Sequence, residues 1–178
     1  IGLSLVGSEM CIRDSNGEIN TLKGNINWMK IHEQDMSSAL FKDVKNLKPV
    51  IRSSSDSGAL DNVFELLVHS GKLAPLIKLM MIPDAWSKRS KTVPKNHQDL
   101  FNFLNSAIEP WDGPAAICAT DAKWVLASSD RNGLRPLRYT ITSDDLFFAG
   151  SETGMIKIPE DKIIAVSYTH LTLPTIRS

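Results

Sequence analysis

The chain has 178 residues, enough for one domain with a buried core. Its composition is 42% hydrophobic and 22% charged, which is ordinary for a folded protein and excludes a disordered or fibrous chain. Basic and acidic residues balance at 20 each, so no net field would gather nucleic acid or an anionic membrane. We therefore expect neither as a partner.

Two further absences narrow the class of protein. The cysteines, Cys11 and Cys118, lie far apart without metal-ligand spacing, which predicts neither a disulfide framework nor a metal site. No apolar run reaches the roughly 18 residues that a membrane span needs. The cysteine pattern favours a reducing compartment. We expect this compartment to be the cytoplasm, or a plastid if the source is a photosynthetic eukaryote.

The two ends differ in character from the middle. Residues 1–15 and 166–178 resemble translated sequencing-adapter read-through, a recurrent contaminant of assembled environmental sequences. We therefore expect both segments to be non-native and base the fold on residues 16–165. The alternative is a native strand at each end.

Four amphipathic helices are predicted after the turn-prone pair Asn16 and Gly17. The first helix is predicted over residues 22–33, with Thr21 available as its N-cap. The second helix starts at Asp56 and is predicted to end before Gly71. The third ends at Pro83, and the fourth ends before Pro110. The apolar positions at helical spacing are Leu22, Ile26 and Met29; Leu60, Val63, Phe64, Leu67 and Val68; Leu73, Leu76, Ile77, Met80 and Met81; and Leu100, Phe103, Leu104, Ala107 and Ile108.

The hydrophobic period changes in the second half. Short apolar runs separated by turn residues predict an antiparallel meander. Helices in one block and strands in the next favour an α+β fold with a helical layer on a sheet, not a βαβ alternation. The predicted strands are residues 115–120, 124–128, 137–141 and 146–149.

Four blocks in one order, residues 16–29, 55–62, 109–116 and 130–136, carry the most specific signal. They strongly resemble the corresponding segments of glutamate synthase large subunits. The resemblance implies a class II glutamine amidotransferase domain of the N-terminal-nucleophile type, an α+β sandwich of antiparallel sheets between helical layers that is incomplete here.

The resemblance also implies a reaction. A cysteine at the mature N-terminus attacks the side-chain amide of L-glutamine, its own α-amino group acts as the base, and ammonia leaves through a thioester intermediate. The ammonia then reaches the synthase domain of the parent chain, which uses FMN and an iron–sulfur cluster and reductively aminates 2-oxoglutarate to L-glutamate. We expect no cofactor in this segment. Because it lacks such a cysteine, we expect it to be inactive alone.

Three residues match functional positions of the family. Asn16 and Gly17 match the oxyanion hole, and Asp56 matches the carboxylate that holds the α-ammonium group of glutamine. The alternatives are an ordinary Asn-Gly turn and a helix N-cap. Where the family usually has histidine before this asparagine, Ser15 stands here, and the substrate-gripping arginine of the family lies upstream without a counterpart.

The remaining candidates favour structural roles. Residues 130–136 match a landmark near the family's active site and are interpreted as mostly structural, with Asn132 and Gly133 forming a turn. Cys118 is interpreted as an inert core thiol. His32, His69 and His97 have no mutual metal spacing and are assigned to surface or core positions.

Two other functions stay open at this point. One is another class II amidotransferase, such as one in purine synthesis, which Trp28, Met29 and the block at residues 109–116 argue against. The other is a non-catalytic binding module on the same scaffold. An upstream reading frame that reaches a processed cysteine would favour the enzyme, and a start codon directly before Asn16 would favour the module.

Overall fold

The computed structural model describes residues 12–41, 43–53, 55–85, 93–121, 123–152, 154, 156–167 and 176–177, with only the backbone at 12–17, 167 and 176–177. The chain divides into two compact units. We call residues 18–113 the helical unit, and residues 1–17 with 114–178 the sheet unit. The division into helices and antiparallel sheets confirms the predicted α+β class.

The helical unit contains all four predicted helices. The first is longer than predicted and continues to Asp35. A short 3₁₀ helix, Val44–Leu47, lies in a stretch for which the sequence predicted no element. The helices are α1 (Leu22–Asp35), α2 (Asp56–His69), α3 (Ala74–Met81) and α4 (Lys95–Ala107).

The ends of α2 follow from local chemistry. The Ser55 hydroxyl accepts a hydrogen bond from the Gly58 N–H at 3.1 Å, so Ser55 is the N-cap. The alternative role of N-cap for Asp56 is therefore wrong, because Asp56 is already the first helical residue. After the helix, Gly71 has φ +87°, the left-handed conformation that commonly stops a helix, as predicted.

The apolar faces of the helices are buried to different extents. In α3, Ile77 and Met81 are fully buried, as the spacing predicts. In α4, Leu104 is 1% exposed but Phe103 is 68% exposed. The sequence thus predicts the helix α4 correctly, but most of its apolar stripe lies at the surface of the helical unit. No helix among the described residues has the length and apolarity to cross a membrane.

The sheet unit contains two antiparallel sheets. The first has the strand order β1-β2-β3-β7 and the second has the order β5-β4-β6. The strands are β1 (Ile12–Gly17), β2 (Ala115–Thr120), β3 (Trp124–Ser129), β4 (Arg138–Thr142), β5 (Phe147–Gly150), β6 (Ile163–Ser167) and β7 (Ile176–Arg177).

The prediction of one continuous meander is wrong. β2 pairs with β3 and β4 pairs with β5, but β3 and β4 belong to different sheets. Residues 130–137 separate these two strands, too many for a tight hairpin. Pro136 in this connection also lacks the N–H group that a ladder would require. The four predicted strands therefore form two hairpins in two sheets.

One buried cluster in the sheet unit consists mostly of small side chains. Ala116 on β2, Ala127 on β3 and Leu137 are buried together. Cys118 and Ala149 pack against this cluster, and Ala149 lies on β5 of the second sheet. The two sheets therefore contact each other through short residues. Cys118 is half-buried against this core, which agrees in part with the predicted core position, and its inertness stays a prediction.

The predicted boundaries at residues 16 and 165 fall inside strands. Residues 12–15 of β1 pair with residues 117–120 of β2, and β6 extends to Ser167. Residues 1–11, 168–175 and 178 lie outside the described residues, among them Cys11. The non-native origin of the two ends stays a prediction.

Candidate functional site

Asp56 begins α2 and is half-buried. Its Oδ2 accepts a hydrogen bond from the Ile19 N–H at 2.8 Å, and its Oδ1 accepts one from the Ser57 N–H at 2.7 Å. A carboxylate oxygen offers two acceptor positions. Considering only the residues that the structure describes, each oxygen of Asp56 keeps a position that a ligand donor can occupy.

The surroundings of Asp56 stabilise and orient its carboxylate. Its negative charge lies in the first turn of α2, where the positive end of the helix dipole stabilises it. The bond to Ile19 spans 37 positions of sequence, so the carboxylate is oriented by tertiary structure rather than by its own helix alone. The sequence did not reveal this bond, because nothing in local spacing indicates it.

The first and third of the four sequence blocks join through hydrogen bonds in the helical unit. The Asn20 N–H donates to the Asp112 carbonyl at 2.8 Å, and the Asp112 N–H donates to the Thr21 hydroxyl at 3.0 Å. That hydroxyl donates to Asn25 Oδ1 at 2.6 Å, and Asn25 Nδ2 donates to the Pro110 carbonyl at 3.0 Å. Thr21 therefore links two segments and makes no side-chain capping bond of the predicted kind.

Gly113 and Trp111 give the third block two structural roles that depend on the residue type or on its burial. Gly113 has φ +150°, and a Cβ atom there would overlap the Glu18 carbonyl oxygen. Glycine is therefore required where the two segments approach each other. Trp111 is buried and donates its backbone N–H to the Met81 carbonyl at 2.6 Å. The block thus fastens the residues that follow Gly17 in sequence to the end of α3.

Asn16 and Gly17 end strand β1 in the sheet unit. Asn16 pairs with Ala116 and Gly17 pairs with Ala115 of β2. The alternative of an ordinary Asn-Gly turn is therefore wrong, because both residues have strand pairing. The Asn16 side chain, on which half of the predicted oxyanion hole depends, lies outside what the structure describes.

Asp130 organises the fourth block and was missed as a separate residue by the sequence analysis. It is 2% exposed. Its Oδ1 accepts from the N–H groups of Asn132 at 3.0 Å and Leu134 at 2.8 Å. Its Oδ2 accepts from those of Ala115 at 3.1 Å and Arg135 at 2.8 Å. An aspartate directly before a turn-forming segment was the available signal, since such side chains often bond the backbone two residues ahead.

The turn itself differs by one position from the prediction. The Gly133 N–H donates to the Asp130 carbonyl at 3.3 Å, so Arg131 and Asn132 are the central residues. Gly133 follows them with φ +64°. The structural interpretation of this block is therefore correct, with the turn centred one residue earlier.

Three histidines belong to the helical unit. His32 Nε2 lies 2.8 Å from Glu109 Oε2 at the surface of the helical unit. His69 pairs with Glu65 across one turn of α2 at 3.7 Å, and His97 is exposed on α4. Among the residues that the structure describes, no three metal-ligating side chains cluster.

Comparison with known proteins gives the family. A family model described as "Glutamine amidotransferases class-II" matches residues 10–169. The chain belongs to the class II glutamine amidotransferases. Membership confirms the predicted family, and the helices and antiparallel sheets are consistent with part of such a domain.

Known proteins similar to this chain include three that are named glutamate synthase. The chain is 55% identical over 151 residues to "Glutamate synthase [NADPH] large chain" of Azospirillum brasilense. It is 46% identical over 152 residues to "Glutamate synthase [NADH]" of Saccharomyces cerevisiae, and 41% identical over 152 residues to "Ferredoxin-dependent glutamate synthase" of Antithamnion sp.. Each match covers 84% of this chain but 10%, 7% and 10% of the relative, respectively. The chain thus spans a tenth or less of their length.

Proposed function

We propose that the chain is part of the glutamine-hydrolysing domain of a glutamate synthase. In this proposal the domain releases ammonia from L-glutamine, and the parent protein uses it to convert 2-oxoglutarate to L-glutamate during nitrogen assimilation. The observation that carries the proposal is that 84% of the chain aligns with proteins named glutamate synthase. These relatives are named for NADPH, NADH or ferredoxin, so the electron donor is determined outside this segment.

Asp56 is proposed to receive the α-ammonium group of glutamine. The free acceptor positions on its two oxygens and its location at the start of α2 support this role. A charged donor and a carboxylate make a stronger hydrogen bond than two neutral groups do. Such a bond selects an amino acid over a simple amide, because a buried ammonium group without a partner is costly.

Asn16 and Gly17 are proposed to stabilise the oxyanion of the tetrahedral intermediate. One donor is the Asn16 side-chain amide, and the other is a backbone N–H at Gly17. The regular pairing of both residues with β2 supports a rigid backbone at this position. Donors that are fixed before charge develops lower the barrier most, because they need no reorganisation during the reaction.

The nucleophile is proposed to be a cysteine whose α-amino group is free. In a polypeptide of these 178 residues neither Cys11 nor Cys118 meets this requirement, because the nitrogen of each belongs to a peptide bond. A polypeptide of these 178 residues alone should therefore release no ammonia from glutamine. FMN and the iron–sulfur cluster are assigned to the synthase domain of the proposed parent protein, which is also the partner that receives the ammonia.

The test compares two substrates in the full-length glutamate synthase that contains this segment. Glutaramate is glutamine without its α-amino group. In the variant Asp56→Asn, kcat/KM for L-glutamine should fall by roughly 10- to 100-fold, the value of one charged hydrogen bond. The kcat/KM for glutaramate should stay within about twofold, because this substrate has no ammonium group to lose.

The matched control is Glu65→Gln, which removes a carboxylate from the exposed face of the same helix. This variant should leave kcat/KM unchanged for both substrates. An equal loss for both substrates in Asp56→Asn would contradict the ammonium-binding role. Failure of the unaltered full-length protein to release ammonia from glutamine would overturn the proposed function itself.

A further inference from the structure

We propose that Asp130 is a positioning residue for the oxyanion hole. The inference rests on the proposed function and assigns a role to a carboxylate that does not itself contact the substrate. All the residues that carry it belong to the sheet unit.

The hydrogen bonds of Asp130 use its whole acceptor capacity. Each oxygen receives two backbone N–H groups, and the side chain is 2% exposed. A carboxylate oxygen has two acceptor positions, so none is left for a ligand. Asp130 therefore acts through the backbone segments that it holds.

One of those segments is the first residue of β2. Asp130 Oδ2 accepts the Ala115 N–H, and Ala115 is the register partner of Gly17. The next residue, Ala116, pairs with Asn16 on one side and with Ser129 on the other. Ser129 directly precedes Asp130. The carboxylate thus fixes the end of the ladder at which Asn16 and Gly17 are paired.

The same carboxylate closes the connection after β3. It receives the N–H groups of Asn132, Leu134 and Arg135, which lie within and after the turn. One buried group therefore determines both the start of β2 and the path of residues 131–135. An asparagine at this position would set an NH₂ group against two N–H donors, and at least one of the two segments would move.

Small movements here would change the reaction rate. Catalytic groups must be held within about 0.5 Å of their productive geometry. A misplacement of about 1 Å by a change distant from the chemistry can lower a rate by roughly 100-fold. Loss of the bond to Ala115 should thus weaken transition-state stabilisation while leaving the binding of the ground state largely intact.

Asp121 provides a matched control at the opposite end of β2. Its Oδ1 accepts the N–H groups of Lys123 at 3.0 Å and Trp124 at 2.7 Å in the hairpin between β2 and β3. Asp121→Asn therefore removes a carboxylate charge from the same strand pair, while its remaining amide oxygen can keep both of these bonds. It lies at the end of β2 where Thr120 pairs with Ile12, away from Asn16 and Gly17.

The experiment measures two inhibition constants in the full-length enzyme. The nucleophilic thiol adds to the aldehyde carbon of L-glutamate γ-semialdehyde and forms a tetrahedral adduct. The former carbonyl oxygen of this adduct then requires the oxyanion hole. L-Glutamate, the product, forms no such adduct. In Asp130→Asn, kcat/KM for glutamine and the affinity for the aldehyde should fall by the same factor, roughly 10- to 100-fold. The affinity for glutamate should change by less than about twofold.

Asp121→Asn should leave both inhibition constants unchanged. If Asp130→Asn does not fold, Asp130→Glu keeps two carboxylate oxygens and should show a smaller loss with the same difference between aldehyde and glutamate. Equal weakening of both inhibitors, or unchanged affinity for the aldehyde, would overturn the positioning role.

The unaltered enzyme separates this inference from the proposed function. If it hydrolyses glutamine and binds the aldehyde tightly, the proposed function stands whatever the variants do. If it does neither, both proposals fail. Ammonia-dependent glutamate synthesis in each variant should stay normal and reports that the remainder of the protein is folded.

Discussion

The helical unit and the sheet unit each contain an aspartate that orders the backbone around it, but only one has acceptor capacity to spare. Asp56 is half-buried and receives two N–H groups among the described residues. Asp130 is buried and receives four. The difference indicates that Asp56 can bind a ligand donor, whereas Asp130 can only hold the protein itself.

The comparison separates two kinds of effect on catalysis. A group that binds the substrate in its ground state changes KM, and a group that acts only on the transition state changes kcat. We expect substitutions at Asp56 to belong to the first kind. Substitutions that disturb the end of β1 should belong to the second kind, and the following predictions test this division.

The largest effect is expected from Asn16→Ala in the full-length enzyme. Removal of one oxyanion donor should lower kcat for glutamine hydrolysis by about 100- to 1000-fold and leave KM within about twofold. Steady-state kinetics of ammonia release measures both constants. Asn20→Ala is the control, because its side chain is exposed and its backbone N–H, which the substitution keeps, donates to the Asp112 carbonyl. A raised KM with normal kcat would contradict the expectation that Asn16 acts only on the transition state.

A smaller effect is expected from Gly113→Ala, which disturbs the helical unit. The new methyl group would overlap the Glu18 carbonyl in a backbone conformation that favours glycine. We expect a loss of roughly 1 to 3 kcal/mol in the unfolding free energy of the helical unit, measured by hydrogen exchange of its amides.

Gly24→Ala is the matched control for that variant. Gly24 lies inside α1 with nothing within 4 Å of the added atom. Alanine there should stabilise the helix by about 0.5 to 1 kcal/mol. Equal effects of the two substitutions would show that the approach of Gly113 to Glu18 contributes nothing specific.

The smallest effect is expected at Asp144. It adds an exposed carboxylate to the comparison of the half-buried Asp56 with the buried Asp130. A hydrogen bond from the Thr142 side chain, its own backbone N–H and the nearby Lys162 hold the pKa of its carboxyl below the ordinary value. Any stabilisation from this carboxylate is therefore present above its unfolded pKa and is lost as the pH falls through the lowered value. Carboxyl-carbon NMR titration should give a higher pKa in Thr142→Val, with glutamine hydrolysis unchanged.

The sequence predicted those elements whose signal is local. The spacing of apolar residues identified α2, α3 and β2 with bounds close to the observed ones, because burial of a helical stripe or a strand face depends on neighbouring positions. It did not predict the strand position of Asn16 and Gly17, since their pairing partners lie about a hundred positions further along the chain. It also did not predict that the connection after β3 would separate two sheets.

The candidate site divides in the same way. The family resemblance identified Asp56, but only the structure relates its carboxylate to Ile19 and assigns the capping role to Ser55. Asp130 could not be singled out from the sequence, because the pattern of its block, Asn132 followed by Gly133, indicates only a turn. Its bond to Ala115 joins residues from two blocks, and such a contact has no signal in the spacing of either one.

The bond between Ile19 and Asp56 limits which substitutions position 56 can accept. A replacement at position 56 that lacks an acceptor oxygen would release the backbone two residues after Gly17 at the same time as it removed the negative charge. Selection for a substrate without an ammonium group would thus encounter an intermediate that is damaged in two respects. Asparagine keeps one acceptor oxygen, and it is the mutational step through which such a change of specificity would most readily pass.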